Sequence, residues 1–108
     1  MFHKSSMNVH LKDGHILCAY CQRPSGEATY SELDLNNVLG AIKGKFAWSA
    51  ENFTEDAADV ILKWDGPNHE PMLHAQLEDE EGMHNEDTVN LAACIKNEDG
   101  HLRYMDCF

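Results

Sequence analysis

Apolar and polar residues alternate along this chain, and the alternation runs through the sequence twice. Val9 and Leu11 flank His10, and Leu17, Ala19 and Cys21 alternate with Cys18 and Tyr20. Thr29 to Leu35 places Leu33 and Leu35 on one face, and Phe46 and Trp48 alternate with Lys45 and Ala47. The same run returns through Val60/Leu62, Leu73/Ala75/Leu77, Val89/Leu91 and Leu102/Tyr104. Alternation of this length predicts half-buried strands, because successive side chains of a strand point to opposite faces. Glycines punctuate it at Asp13-Gly14, Ser25-Gly26, Asp65-Gly66-Pro67, Glu81-Gly82 and Asp99-Gly100, all turn sequences. Apolar residues spaced by three and four predict short helical turns at 35–40 and 91–96, with another at 51–58. The expected fold is therefore all-β, built of paired antiparallel meanders with short helical turns between them.

The two runs correspond residue by residue. Phe2, Val9 and Leu11 reappear as Phe53, Val60 and Leu62, fifty-one positions on. After a five-residue insertion the offset is fifty-six. Ile16-Leu17-Cys18-Ala19 then matches Met72-Leu73-His74-Ala75, and Gly44-Lys45-Phe46-Ala47-Trp48 matches Gly100-His101-Leu102-Arg103-Tyr104. Core positions are kept while surface positions drift, the pattern of a duplicated unit. Repeat one spans 1–52 and repeat two 53–108. Either half alone would be too small to bury a stable core, so the two are expected to share a single domain over 1–108.

Composition narrows the partners. A net charge of -11, from 19 acidic and 8 basic residues, repels phosphate backbones and anionic lipid, so neither nucleic acid nor membrane is an expected partner. The start of the chain lacks a basic segment followed by an apolar one, so the expected location is cytoplasmic. Cys18, Cys21, Cys94 and Cys107 are then expected as free thiols. Cys18-x-x-Cys21 lies within an alternating run, where its two thiols point to opposite faces. No second pair completes a tetrahedral set, so no metal or cofactor is expected. Cys21 falls on the core parity and Cys18 on the surface or sheet-edge parity. Trp48 and Trp64 are expected in the core rather than as sugar-stacking platforms, with a partly exposed edge as the alternative for Trp64 beside the Asp65-Gly66-Pro67 turn.

The ordered set Phe2, Asn8, Leu11, Gly14, Leu17, Cys21, then Leu33-Asp34-Leu35-Asn36, Gly44-Lys45-Phe46-Ala47-Trp48 and Asn52-Phe53-Thr54-Glu55, resembles the cyanovirin-N homology family. Leu73-His74-Ala75, Val89-Asn90-Leu91 and Ile95 to Leu102 extend the resemblance through the second half. It implies a pseudo-symmetric lectin without catalysis: two three-stranded sheets, each with a hairpin, with strands exchanged between repeats. Its implied partners are neutral oligosaccharides or glycoproteins, mannose-rich by default. Pro24 and Glu98 depart from the family and would shift that preference, for instance toward glucose. The positions of the founding member's two disulfides hold Ser6 with Cys21 and Ala57 with Leu77, so neither bridge can form, as in disulfide-free fungal members. Ala50 stands at the family's hinge proline, which favours a monomer over the domain-swapped dimer that the resemblance also admits.

Carried over by position, the first carbohydrate site comprises Lys4 and Ser5, Gln22, Arg23 and Pro24, and Asn97, Glu98 and Asp99. The second falls on Gly40, Ala41 and Lys43, on Glu51, Asn52, Glu55 and Asp56, and on Glu78, Asp79 and Glu80. A sugar hydroxyl both donates and accepts, so a site needs both kinds of partner. The first site mixes donors and acceptors. The second crowds carboxylates, which repel one another and stay hydrated, so the first is expected to be the working site. Two other readings compete with a lectin. One is a carboxylate-dependent glycoside hydrolase using the acidic 51–56 and 78–80 cluster. The other is a non-catalytic protein-interaction β-domain.

Overall fold

The computed structural model describes residues 2–66 and 68–105. Ten strands form two three-stranded sheets and two hairpins. Strands β1 (Ser6–Lys12), β2 (Ile16–Gln22) and β3 (Ala28–Asp34) make the first sheet, and β4 (Leu39–Ile42) and β5 (Lys45–Trp48) the first hairpin. Strands β6 (Ala57–Asp65), β7 (Glu70–Glu78) and β8 (His84–Asn90) repeat the sheet, and β9 (Ile95–Glu98) and β10 (His101–Tyr104) repeat the hairpin. All pairings are antiparallel.

Each hairpin docks on the sheet of the other repeat. Ser31 Oγ on β3 accepts a hydrogen bond from the Leu102 backbone N–H at 3.0 Å, and Asp87 on β8 accepts the equivalent bond from Phe46 at 2.8 Å. Neither repeat is complete alone, and the exchange that the resemblance implies is present. The molecule is elongated, 50 × 28 × 25 Å, so the two sheet-plus-hairpin units set two separate ends.

The buried positions are those of the predicted core parity: Leu17, Ala19 and Cys21 on β2, and Leu73, Ala75 and Leu77 on β7. Phe2 and Phe53, equivalent by repeat, are both fully buried. Burying side chains of this size contributes about 1.5–3 kcal/mol apiece. Trp48 stacks on its repeat equivalent Tyr104 at 5.6 Å between ring centroids, so the pseudo-symmetry is closed by an aromatic pair rather than by a buried tryptophan. Trp64 is 38% exposed, which corrects the core placement in favour of the edge alternative.

At the lost disulfide positions, Ser6 pairs with Cys21 and Ala57 with Leu77 across adjacent strands. Ser6 Oγ approaches Cys21 Sγ at 3.5 Å, and Leu77 is fully buried.

Several expectations are corrected. The helical turns are single 3-10 turns at Phe2–Ser5, Leu35–Asn37, Phe53–Asp56 and Leu91–Ala93, and the residues after the second and fourth continue as strands. Asp34 and Asn90 cap two of these turns by accepting the Asn36 and Ala92 N–H groups, after which β4 and β9 pair immediately with their hairpin partners. Cys18 is fully buried although it lies on the outer parity of β2; its thiol faces the Ile16 carbonyl and the Glu32 carboxylate. Cys18 and Cys21 are free thiols, but Cys94 is disulfide-bonded, against the expectation of four free thiols. Cys107 lies outside the described residues.

Candidate carbohydrate site

Asn97 organises the first end. Its side-chain amide donates to Ser5 Oγ at 2.9 Å and to the Gln22 carbonyl at 2.8 Å, while its oxygen accepts from the Gly100 N–H at 2.9 Å. One side chain on β9 thereby ties together the N-terminal 3-10 turn, the end of β2 and the β9–β10 turn. Both amide hydrogens are used within the protein, so Asn97 holds the site together rather than offering its amide to a ligand.

Gly100 completes the turn at φ +86°, and a Cβ there would meet Arg23 Cγ at 2.8 Å. The stem of Arg23 thus lies over the turn, and its Nε donates to Asp99 at 3.2 Å. Glu98 is paired with Lys96 at 2.8 Å and Arg103 at 3.3 Å. The Lys96 bond, before any other cause, holds its carboxyl below the usual carboxylate range.

Lys4 and the Gln22 side chain take part in no hydrogen bond or ion pair among the described residues. With Ser5 they edge a cavity of about 200 Å³ whose other walls are Ser6, Met7, Tyr20, Gly26 and Ala28. The end therefore presents a free ammonium, a free carboxamide and a hydroxyl around one hollow. Pro24 is exposed on the β2–β3 turn, which closes through hydrogen bonds between Arg23 and Glu27 and from Gly26 to Arg23. Of the residues expected at this site, Lys4, Ser5 and Gln22 come together around the hollow. Arg23 and Asp99 pair with each other and do not line it, Asn97 ties its Ser5 and Gln22 walls together, and Glu98 is engaged on the hairpin.

Met7, Tyr20, Gly26 and Ala28 were not expected there. The available signal was a bulky aromatic, Tyr20, on the outward parity of β2.

The second end has the same backbone and different chemistry. Lys43, Asp56, Glu78, Asp79 and Glu80 line a hollow of about 280 Å³ with Ala41 and Ile42. Asp79 is committed to its own turn, accepting the Glu81 and Met83 N–H groups at 2.9 and 3.0 Å and the Asn85 amide at 2.9 Å. The Asn85 bond is the first cause of its lowered pKa. A general acid would need the opposite shift, so Asp79 is unsuited to that role. Glu51, Asn52 and Glu55 are exposed and do not line this hollow, and Gly40 is buried under the Ala50–Glu51 link, where a Cβ would sit 2.7 Å from Ala50 Cβ. Among the described residues no three His, Cys, Asp or Glu side chains converge to hold a metal ion.

This architecture, a duplicated all-β unit with exchanged hairpins and a polar hollow at each end, is that of a lectin fold. Residues 2–103 match the CVNH domain family, and the chain belongs to that family. It is 33% identical over 89 residues to the cyanovirin-N homolog of Neurospora crassa, covering 82% of this chain and 80% of that protein. The solution structure of the Gibberella zeae CVNH protein superposes with a TM-score of 0.92 at 39% identity, covering 97% of each chain. Microvirin bound to mannobiose superposes at 0.84 with 26% identity, over 95% of this chain and 96% of that one. The family is one of lectins, not enzymes, which supports carbohydrate binding and removes the hydrolase reading.

Proposed function

We propose that this protein is a lectin for neutral oligosaccharides of the mannose or glucose type, acting chiefly through its first end. The observation that carries the proposal is the free Lys4 ammonium and free Gln22 carboxamide facing one hollow with Ser5. Together they supply donors and acceptors for a pair of adjacent hydroxyls. Each such bond contributes only about 0.5–1.5 kcal/mol net, so affinity comes from several converging at once. Asn97 keeps the three segments in place. Mannobiose bound to microvirin favours a mannose disaccharide as the first ligand to try. The acidic second end is the weaker site, since its carboxylates remain hydrated and only Lys43 faces them as a cation. The monomer is the working state, because Ala50 leaves the link between repeats unstrained by proline.

Calorimetric titration of a neutral sugar panel into the protein and its Lys4→Ala variant tests this. Binding by the parent that weakens in the variant supports the reading. A flat heat trace across mannose- and glucose-type ligands refutes it.

A further inference from the structure

Met7, Tyr20 and Tyr30 stand in register across β1, β2 and β3, on the outward face of the first sheet. They are 62%, 42% and 45% exposed, so large side chains with apolar bodies stand in a row on that face. The two tyrosine rings lie 5.3 Å apart between centroids. The row is also held in position. Tyr30 donates its hydroxyl to Glu32 at 2.6 Å, and Lys12 grips the same carboxylate at 2.7 Å. Neighbouring Cys18 and Glu32 push the Tyr30 pKa up, keeping the hydroxyl a donor.

The row continues the candidate site. Met7 and Tyr20 form one wall of the hollow that Lys4, Ser5 and Gln22 edge, and the hollow runs on past Gly26 and Ala28 toward β3. The other repeat supplies an internal control. The equivalent row on β6, β7 and β8 is Ala58, Gln76 and Glu86, with no ring at all. Of the two equivalent rows, the one that adjoins the free Lys4 and Gln22 side chains is the aromatic one.

We infer that the Met7–Tyr20–Tyr30 row is an extension subsite, on which the C–H face of a further pyranose stacks when an oligosaccharide is held by Lys4, Ser5 and Gln22. Hydroxyls leave a pyranose ring at its edge, whereas its faces present C–H groups. With every hydroxyl equatorial both faces of a glucose-type ring are apolar, whereas an axial hydroxyl interrupts one of them, so a glucose-type ring can stack in either orientation. Tyrosine has few rotatable bonds, and Tyr30 is already held by Glu32, so little side-chain freedom is lost on binding. The ligand class is therefore an oligosaccharide longer than a disaccharide, with a glucose-type unit beyond the anchored ones. The inference rests on the first end being the sugar site.

The test is the ratio of tetrasaccharide to disaccharide affinity, measured by calorimetry with β-1,4-linked glucose oligomers. The parent protein should bind the tetrasaccharide roughly fivefold more tightly, in the range expected for one aromatic stacking contact. In Tyr20→Ala and Tyr30→Ala the ratio should fall to about one, and in Tyr20→Phe it should persist, because the ring is kept. A parent ratio of one, or a raised ratio that survives Tyr20→Ala, overturns the extension subsite while leaving the first-end site standing. Disaccharide binding that is indifferent to Lys4→Ala overturns the first-end site and the extension with it.

Discussion

The two ends of this molecule share one backbone and have diverged in chemistry. By repeat, Lys4 faces Glu55, Ser5 faces Asp56, Gln22 faces Glu78, Arg23 faces Asp79, Asn97 faces Ala41 and Asp99 faces Lys43. The β9–β10 and β4–β5 turns are both two-residue turns with both residues at positive φ, Asp99-Gly100 and Lys43-Gly44. Both pack against the β2–β3 or β7–β8 turn of the opposite repeat. What differs is how each end is tied and what is left free. The first end is tied by Asn97, which leaves Lys4 and Gln22 available. The second has Ala41 in that place and closes its β7–β8 turn through Asp79 and Asn85, at the cost of its best acceptor. A fold can thus keep two copies of a scaffold while concentrating ligand chemistry in one.

The comparison breaks most sharply at Asn97. Asn97→Ala removes two donated bonds and one accepted bond, and should cost about 2 kcal/mol of stability by urea unfolding, with loss of sugar binding at the first end. An unchanged midpoint would show that the tie is dispensable.

Lys4→Ala should leave the unfolding midpoint alone and weaken sugar binding about tenfold, close to 1.4 kcal/mol, as expected of a charge-assisted bond. Glu55→Ala at the equivalent position should change affinity less than about twofold, since that end contributes little. Equal effects of the two substitutions would erase the functional difference between the ends.

Gly100→Ala and Gly44→Ala probe the shared backbone instead. Both glycines have positive φ, +86° and +76°, and each would push a Cβ into a neighbouring side chain, Arg23 or Asn85. Each should cost about 1 kcal/mol in thermal or urea unfolding. Very different costs would mean that the two hairpins are not equivalent supports.

The smallest effect is in pH. His3 packs against Trp64, and burial lowers its pKa from the ordinary 6.5, outweighing the pull of Glu70. The unfolded chain therefore takes up this proton first, and stability should decline as pH falls through 6.5. Glu98 and Asp79 have lowered carboxyl pKa values, so one charged contribution at each end is present above the ordinary carboxylate range and is lost as pH falls below it. Unfolding midpoints from neutral to acidic pH, compared with His3→Gln, isolate the histidine part, which should flatten between pH 7 and 5 in the variant. Identical profiles would remove His3 from the account.

Much of this was legible in the chain. The core parity of β2 and β7 and the Asp-Gly turns follow from periodicity and repeat alignment, and the pairing of Ser6 with Cys21 and Ala57 with Leu77 from the family resemblance. The bulges were not. Asn8 and Asp59, at equivalent positions, adopt positive φ and shift the register between Met7 and His10 and between Ala58 and Ile61. An extra residue breaks the period of two, so it sets Met7 and His10 on one face where simple alternation separates them. Cys18 was misplaced for a related reason: parity says which face a side chain leaves from, not whether neighbouring residues cover that face. Asn97 was recognised as a site residue but not as a tie, because the direction of an amide depends on Ser5 and Gln22, which lie far away in sequence. Tyr20 was legible only as an outward alternating position, and its partner Tyr30 carried no signal until the register set the two side by side.

The most direct test of the account is an NMR titration of isotope-labelled protein with mannobiose, following backbone amides. The account predicts shifts at Lys4, Ser5, Gln22, Arg23 and Asn97 to Asp99, with Lys43, Asp56, Glu78 and Asp79 unmoved. Shifts confined to the second set, or a spectrum that does not respond, would contradict it.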